Sequence, residues 1–181
     1  LDQERILVTA TGVSLGKLSP DDIIKVNLSH EGDLKNERLT TEFPLHHLIY
    51  QKLAHRVVIH CHPVLTNAYF ALYSDIKALT FETKLYLGSI PVVEQETPAI
   101  TKPELVITAL GSSNLVVIKN HGVVSVGEKF SDALYLIEML EEAVKTLAVA
   151  RLFKKDVLDN LDQALKQDFA QDDAYLMFSQ E

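Results

Sequence analysis

The chain has 181 residues, a net charge of −8 and 47% hydrophobic residues, a composition typical of a folded globular protein, which excludes global disorder. Such an acidic chain lacks the basic surface needed to bind nucleic acid or an anionic membrane. No apolar run approaches the ~18 residues of a membrane span, the polar start is not typical of a signal peptide, and the single cysteine, Cys61, excludes an internal disulfide. We therefore expect one domain over residues 1–181 and a cytoplasmic location.

Short β-branched segments and longer amphipathic segments follow one another along the chain. In chain order, strands are predicted at residues 6–10, 23–27, 57–61, 90–93, 115–118 and 123–126. A helical turn is predicted at residues 18–22, with Ser19 as N-cap and Pro20 at the first helical position. Longer helices are predicted to open at residues 40–42, to cover 66–72, and to run from about 129 to about 153.

These elements predict a sheet covered by helices, an α/β layered domain. The pattern leaves open whether the sheet is parallel or mixed. Residues 152–181 carry a net charge of −4 and are predicted to form an acidic C-terminal tail.

Three histidines follow apolar strands and are candidate metal ligands. His60 and His62 are two residues apart, so in an extended chain they project to the same side. His121 follows another strand, and Gly122 permits a tight turn that would aim its imidazole inward. Zinc-type catalytic sites use three protein ligands and an open position. The alternative is that His60 and His62 only form hydrogen bonds at a strand end. Cys61 points away from both and is expected to be a buried thiol.

Glu42 is the best candidate for a general acid or base. It is predicted to lie in the first turn of a helix, where a carboxylate also complements the helix dipole without any catalytic role. A helix N-terminus can bind anions, so Thr40 and Thr41, with the turn at Thr11 and Gly12, could offer hydroxyl and N–H groups to a phosphate.

Five ordered segments resemble the class II aldolase/adducin family: residues 8–13, 18–22, 40–46, 58–63 and 120–124. The resemblance covers about residues 5–150 and includes a final helix containing Glu141. It implies a three-layer α/β/α sandwich around a mixed, largely antiparallel sheet. It also implies a homotetramer with sites between subunits.

The family resemblance implies a metal-dependent aldolase-type lyase that cleaves a small phosphorylated ketose through a zinc-stabilised enediolate. His60, His62 and His121 would bind zinc or another divalent transition metal, and Glu42 would transfer the proton. Thr11, Gly12, Thr40 and Thr41 match positions that hold the substrate phosphate.

The resemblance leaves other functions open. The alternatives are a sugar-phosphate 4-epimerase, a methylthioribulose-1-phosphate dehydratase and a non-catalytic adducin-like binding module. The family's aldolases also have an N-terminal phosphate-binding segment and a tyrosine acid with no counterpart in register here; Glu82 is the next candidate for that acid.

Overall fold

The computed structural model describes residues 4–97 and 99–153. An antiparallel ribbon opens the fold, formed by β1 (Arg5–Thr9) and β2 (Ile23–Asn27). The chain turns after β1 at Gly12, whose φ of 73° lies in the region that favours glycine. Two single 3₁₀ turns, Leu15–Lys17 and Pro20–Asp22, connect the strands.

The main sheet of the described residues has four strands: β3 (Val57–Cys61), β4 (Val92–Val93), β5 (Leu115–Ile118) and β6 (Gly122–Gly127). Their order is β3-β6-β5-β4. The β4–β5 pair is parallel and the other two pairs are antiparallel, so the sheet is mixed and largely antiparallel.

The short helix α1 (Glu31–Leu34) contacts β2 of the ribbon. Longer helices cover both faces of the main sheet: α2 (Phe43–Lys52), α3 (Val64–Leu72), α4 (Phe81–Leu87), α5 (Pro103–Leu110) and α6 (Phe130–Phe153). Among the described residues, no helix combines the length and the apolar character that crossing a membrane requires.

Two hydrophobic clusters separate the layers. Leu45 of α2 and Val106 of α5 pack with Val124 and Val126 on one face. Phe70, Leu87 and Leu140, from α3, α4 and α6, pack with Val117 and Val123 on the other. This is the predicted three-layer α/β/α sandwich, and alternation along β6 assigns its side chains to the two faces.

Several boundaries differ from the sequence prediction. The 90–93 strand shrinks to Val92–Val93, because Pro91 has no N–H to give to a ladder. The helix expected at residues 40–42 begins at Phe43, which makes Glu42 its N-cap residue rather than a first-turn residue. The helices α4 and α5 were not predicted, and the short helix α1 lies where the sequence predicts a turn at residues 30–33. Except for Leu152 and Phe153, at the end of α6, the acidic tail lies outside the described residues.

Candidate metal centre

Three imidazoles converge at one end of the main sheet. Nε2 of His60 lies 3.1 Å from Nε2 of His121 and 3.2 Å from Nε2 of His62. One nitrogen from each ring falls within 4.8 Å of the others. Nitrogens bound to one tetrahedral zinc ion are about 3.3 Å apart, given Zn–N distances of ~2.0–2.1 Å. The two separations from His60 match this value, so the three rings are gathered closely enough to be candidate ligands of a single metal ion.

A hydrogen bond to the backbone fixes the tautomer of His60. Its Nδ1–H donates to the carbonyl oxygen of Val123 at 2.9 Å, so Nε2 carries a lone pair and no proton. That lone pair can accept from only one of the two neighbouring rings, whereas a cation would satisfy all three. A metal-binding histidine usually has one ring N–H bonded to a carbonyl or carboxylate, while its other ring nitrogen faces the metal.

Burial disfavours the charged forms of His60 and His121. Burial lowers the pKa of His60 to about 3, and the neighbouring rings of His121 and His62 contribute to this lowering. Burial also lowers the pKa of His121, as does His62, while the Glu42 carboxylate acts in the opposite direction. Glu42 is therefore within electrostatic range of the triad, on its α2 side.

The His121 turn depends on the residues on either side of it. Asn120 has a φ of 60°, a left-handed conformation that asparagine tolerates. A Cβ at Gly122 would lie 2.6 Å from Cδ2 of His62 and would also collide with the carbonyl oxygen of Cys61. The Asn67 amide donates to the His121 carbonyl at 3.0 Å. These contacts fix the path of the turn against β3.

Glu42 lies at the start of α2, which packs on the His60 face of the sheet. Its backbone N–H donates to Oγ1 of Thr40 at 3.3 Å, and its side chain makes no capping hydrogen bond. The carboxylate is half-buried and is not engaged as a helix cap. Thr40, rather than Glu42, organises this turn.

The structure brings the two threonine segments together. Ala10 forms an isolated antiparallel bridge with Leu39, and the N–H of Thr11 donates to the Arg38 carbonyl at 2.8 Å. The turn at Thr11 and Gly12 is thereby held next to the segment that leads into Thr40 and Thr41. Thr11, Gly12 and Thr41 are exposed, and Thr40 is half-buried.

Other candidates lie elsewhere. Cys61 packs against the α6-side cluster, opposite to His60, and burial raises the pKa of its thiol to about 11, helped by the charge of Glu141. Glu82 lies exposed in the first turn of α4, also on the α6 side. Glu42 and Glu82 therefore flank opposite faces of the sheet within one chain.

The sequence analysis assigned no role in the site to two polar residues that contact the segments around His62 and His121. Asn67 lies inside α3, and Glu141 lies inside α6 and accepts hydrogen bonds from residues 65 and 66. Their partners are more than fifty residues away along the chain, so local patterns do not single them out.

Comparison with known proteins gives a consistent picture. The chain is 33% identical over 154 residues to an L-fuculose phosphate aldolase of Methanocaldococcus jannaschii, covering 84% of this chain and 83% of that protein. It is 33% identical over 153 residues to a methylthioribulose-1-phosphate dehydratase of Bacillus mycoides, covering 77% and 71%. The crystal structure of an L-fuculose-1-phosphate aldolase from Thermus thermophilus superposes with a TM-score of 0.71 at 27% identity, covering 81% and 78%.

The fold and site together define a three-layer α/β protein with a metal-type histidine cluster at one end of its sheet. Residues 1–148 match the family described as Class II Aldolase and Adducin N-terminal domain. The chain belongs to this class II aldolase and adducin family, as the sequence resemblance indicated.

Proposed function

We propose that His60, His62 and His121 bind one divalent transition-metal ion, with zinc the first candidate. The observation that carries this proposal is the convergence of their Nε2 atoms, at 3.1 Å and 3.2 Å from His60 to the other two. The Val123 carbonyl holds His60 in the required tautomer. Three imidazole ligands leave an open position for substrate, as in catalytic rather than structural zinc sites.

The reaction that fits this site best is the aldol-type cleavage of a small phosphorylated ketose. The family is shown by the sequence match, and the fuculose phosphate aldolases are similar over most of their length. A bound divalent ion supplies Lewis-acid polarisation of the substrate's carbonyl and hydroxyl oxygens. Glu42 is the carboxylate of α2 that acts electrostatically on the triad, through His121.

Glu42 would transfer the proton that moves during cleavage. Cleavage breaks a carbon–carbon bond, takes the proton from the hydroxyl on one fragment and leaves the electron pair on the other. The Glu42 carboxylate, half-buried and without a capping hydrogen bond, would accept the hydroxyl proton and then return it to that carbon. Substrate phosphate would lie against the hydroxyl and N–H groups of Thr11, Gly12, Thr40 and Thr41, which the bridge at Ala10 holds together.

A dehydratase is the second candidate, because the Bacillus mycoides relative is as similar in identity as the archaeal aldolase. A carboxylate beside three imidazoles could serve either reaction, so the site alone does not separate the two. The 4-epimerase and the non-catalytic module remain weaker alternatives, the latter because the triad and Glu42 lie together.

We further propose a closed homo-oligomer, most simply a tetramer. Phe81, Leu85 and Tyr86 of α4 are between 55% and 61% exposed, and Tyr135 of α6 is 47% exposed beside Tyr86. An apolar surface of this kind is typical of a protein interface. Heterologous contacts must close into a ring to avoid filaments.

The decisive experiment measures metal content and cleavage together. Purified protein is expected to hold about one zinc-type ion per chain and to cleave one member of a ketose-1-phosphate panel, with activity lost to chelator and restored by metal. His60→Ala and His121→Ala should lose the ion, since two remaining ligands make a poor site. Full metal occupancy in both variants would refute the triad. A metal-loaded protein that eliminates water from a substrate instead would support the dehydratase.

A further inference from the structure

The first turn of α3 contacts both of the segments that carry His62 and His121. Only Pro63 separates His62 from the start of this helix at Val64. Glu141 reaches across from α6 and accepts three hydrogen bonds from the turn: from the N–H of Leu65 at 3.0 Å, and from the N–H and Oγ1–H of Thr66 at 2.9 Å and 2.7 Å.

The same turn also contacts the loop that carries His121. Asn67 donates its side-chain amide to the backbone carbonyl of His121 at 3.0 Å. His62 and His121 come from segments about sixty residues apart. His62 follows the last residue of β3, and His121 precedes β6 in a turn whose N–H bond to the Ile118 carbonyl measures 3.1 Å. The α3 turn bridges both segments.

We infer that Glu141 and Asn67 form a clasp that positions His62 and His121 for metal binding, a role that rests on the metal site proposed above. Glu141 anchors the turn that leads out of His62, and Asn67, from that same turn, anchors His121. Both are positioning residues: each acts through another residue and touches neither substrate nor metal.

The energetic reason lies at Thr66, the buried residue in the otherwise exposed first turn of α3. The first N–H groups of a helix have no partner within it, and Thr66 is fully buried. A carboxylate satisfies these donors and also complements the helix dipole. The position of Glu141 on α6 is fixed because the neighbouring residues of this helix are buried in the core beneath it: Leu140, Ala143 and Val144.

Without the carboxylate, the turn would have to move toward water to satisfy its donors. His62 would move with it, and the distance between the His62 and His60 nitrogens would change. Loss of Asn67 would free the His121 carbonyl in the same way, from the other side. The two losses should therefore act on the same three-ring geometry.

The test uses the full chain and two variants of the clasp. Glu141→Gln replaces one of the two carboxylate oxygens, which together accept three hydrogen bonds, with an amide N–H₂ that cannot accept. Asn67→Ala removes the side-chain amide that donates to the His121 carbonyl. Glu142→Gln is the matched control, since Glu142 is the next residue of α6, lies at the surface and pairs with Lys145 at 3.6 Å.

Zn²⁺ affinity is measured by competition with a chromogenic chelator, and ligand geometry by the visible absorption spectrum of the Co²⁺-loaded protein. Unfolding of the metal-free proteins is followed in parallel.

Each clasp variant is expected to bind Zn²⁺ ~10-fold or more weakly than wild type, the usual effect of losing a residue that orients a ligand. Each should also alter the Co²⁺ spectrum, while Glu142→Gln matches wild type. The double variant should lose less than the product of the single losses, because both act through one turn. A loss of folding stability alone would leave the Co²⁺ spectrum unchanged.

The outcomes separate the clasp from the metal site. If wild type binds Co²⁺ and either clasp variant matches Glu142→Gln in affinity and spectrum, the clasp is refuted and the metal site stands. If wild type binds neither ion, the triad is refuted and the clasp with it. Should Glu141→Gln fail to fold, Thr66→Val, which removes one of the three donors, replaces it, with Thr66→Ser expected to restore wild-type binding.

Discussion

Gly122 lies so close to His62 that a methyl group on its Cα would stand 2.6 Å from Cδ2 of the imidazole. The same methyl group would collide with the Cys61 carbonyl, which belongs to the neighbouring strand and cannot move aside. The close approach of β6 to the end of β3 therefore requires a residue without a side chain.

Gly122→Ala should push His62 away from the other two rings. We expect Zn²⁺ affinity to fall at least ~10-fold and the free energy of unfolding to fall by ~1–3 kcal/mol, the usual cost of overpacking. Gly16→Ala is the control, because a Cβ there meets nothing within 4 Å. Equal metal affinity in the two variants would show that the site tolerates a displaced His62.

Glu42→Gln should separate chemistry from metal binding. The variant keeps the size of the side chain but cannot transfer a proton, so turnover should fall ~10²–10⁴-fold. Metal content should stay close to one ion per chain. Glu104→Gln, an exposed carboxylate at the start of α5 on the same side of the sheet, is the control. Full activity of Glu42→Gln would move the proton transfer to another residue, with Glu82 tested next.

Burial of His46 predicts a loss of stability in acid. Burial lowers the pKa of His46 from its ordinary 6.5 to about 4. Between these values the unfolded chain takes up a proton that the folded chain excludes, so stability is complete above pH 6.5 and falls as the pH falls. One such proton costs ~1.4 kcal/mol per pH unit, or about 2 kcal/mol at pH 5.

His46→Gln removes that proton and should reduce the pH dependence by this amount. The measurement is denaturant unfolding of the metal-free protein at pH 7 and pH 5, in the presence of chelator. Comparing each protein with itself cancels any packing cost of the substitution. An unchanged difference between the two pH values would show that His46 is protonated inside the folded protein.

Thr41→Val tests the phosphate site. The variant keeps the shape of the side chain and loses one hydroxyl, so KM for a phosphorylated ketose should rise ~10-fold or more, as expected for a lost bond to a charged group. The kinetics with an unphosphorylated ketose should not change. Thr101→Val, at an exposed position, is the control. An equal rise in KM for both substrates would place Thr41 near the sugar rather than its phosphate.

Tyr135→Glu tests the assembly. We expect wild type to sediment as a closed oligomer and to lose specific activity on dilution as its subunits separate. A charge at Tyr135, beside the ring of Tyr86 at 6.1 Å between centroids, should shift the protein to smaller species. Leu105→Glu, on the α5 side, is the control. A fully active monomer would show that one chain carries the whole site.

The sequence was most informative where a residue and its neighbours decide the structure. The strands β3, β5 and β6 are short β-branched runs, and α6 carries a wide apolar stripe, so their periodicity was sufficient to predict them. The spacing of His60 and His62 predicted that they share one side of β3, and the structure brings the third candidate ligand, His121, beside them. Ser19 caps its turn as predicted, with Asp22 accepting from its N–H and its hydroxyl.

The remaining features depend on contacts between distant segments. The helices α4 and α5 are short, and the apolar, β-branched sequence of α5 is equally compatible with a strand. The N-terminus of α2 shifted because Thr40 forms the turn and leaves Glu42 at the boundary. The contacts of Glu141 with Thr66, and of Asn67 with His121, join elements 75 and 54 residues apart, and no local pattern reveals them.

The register of β3 on β6 has a consequence for folding. His60 lies opposite Val124, and Cys61 lies opposite Val123. A slip of one residue would turn His60 toward α6 and place Cys61 among the other imidazoles, because successive side chains of a strand face opposite sides. An ion held by all three histidines would bind the native pairing alone and stabilise it by a free energy that grows with the logarithm of the ion's concentration. Metal supply during synthesis would then select the correctly paired sheet before any substrate arrives.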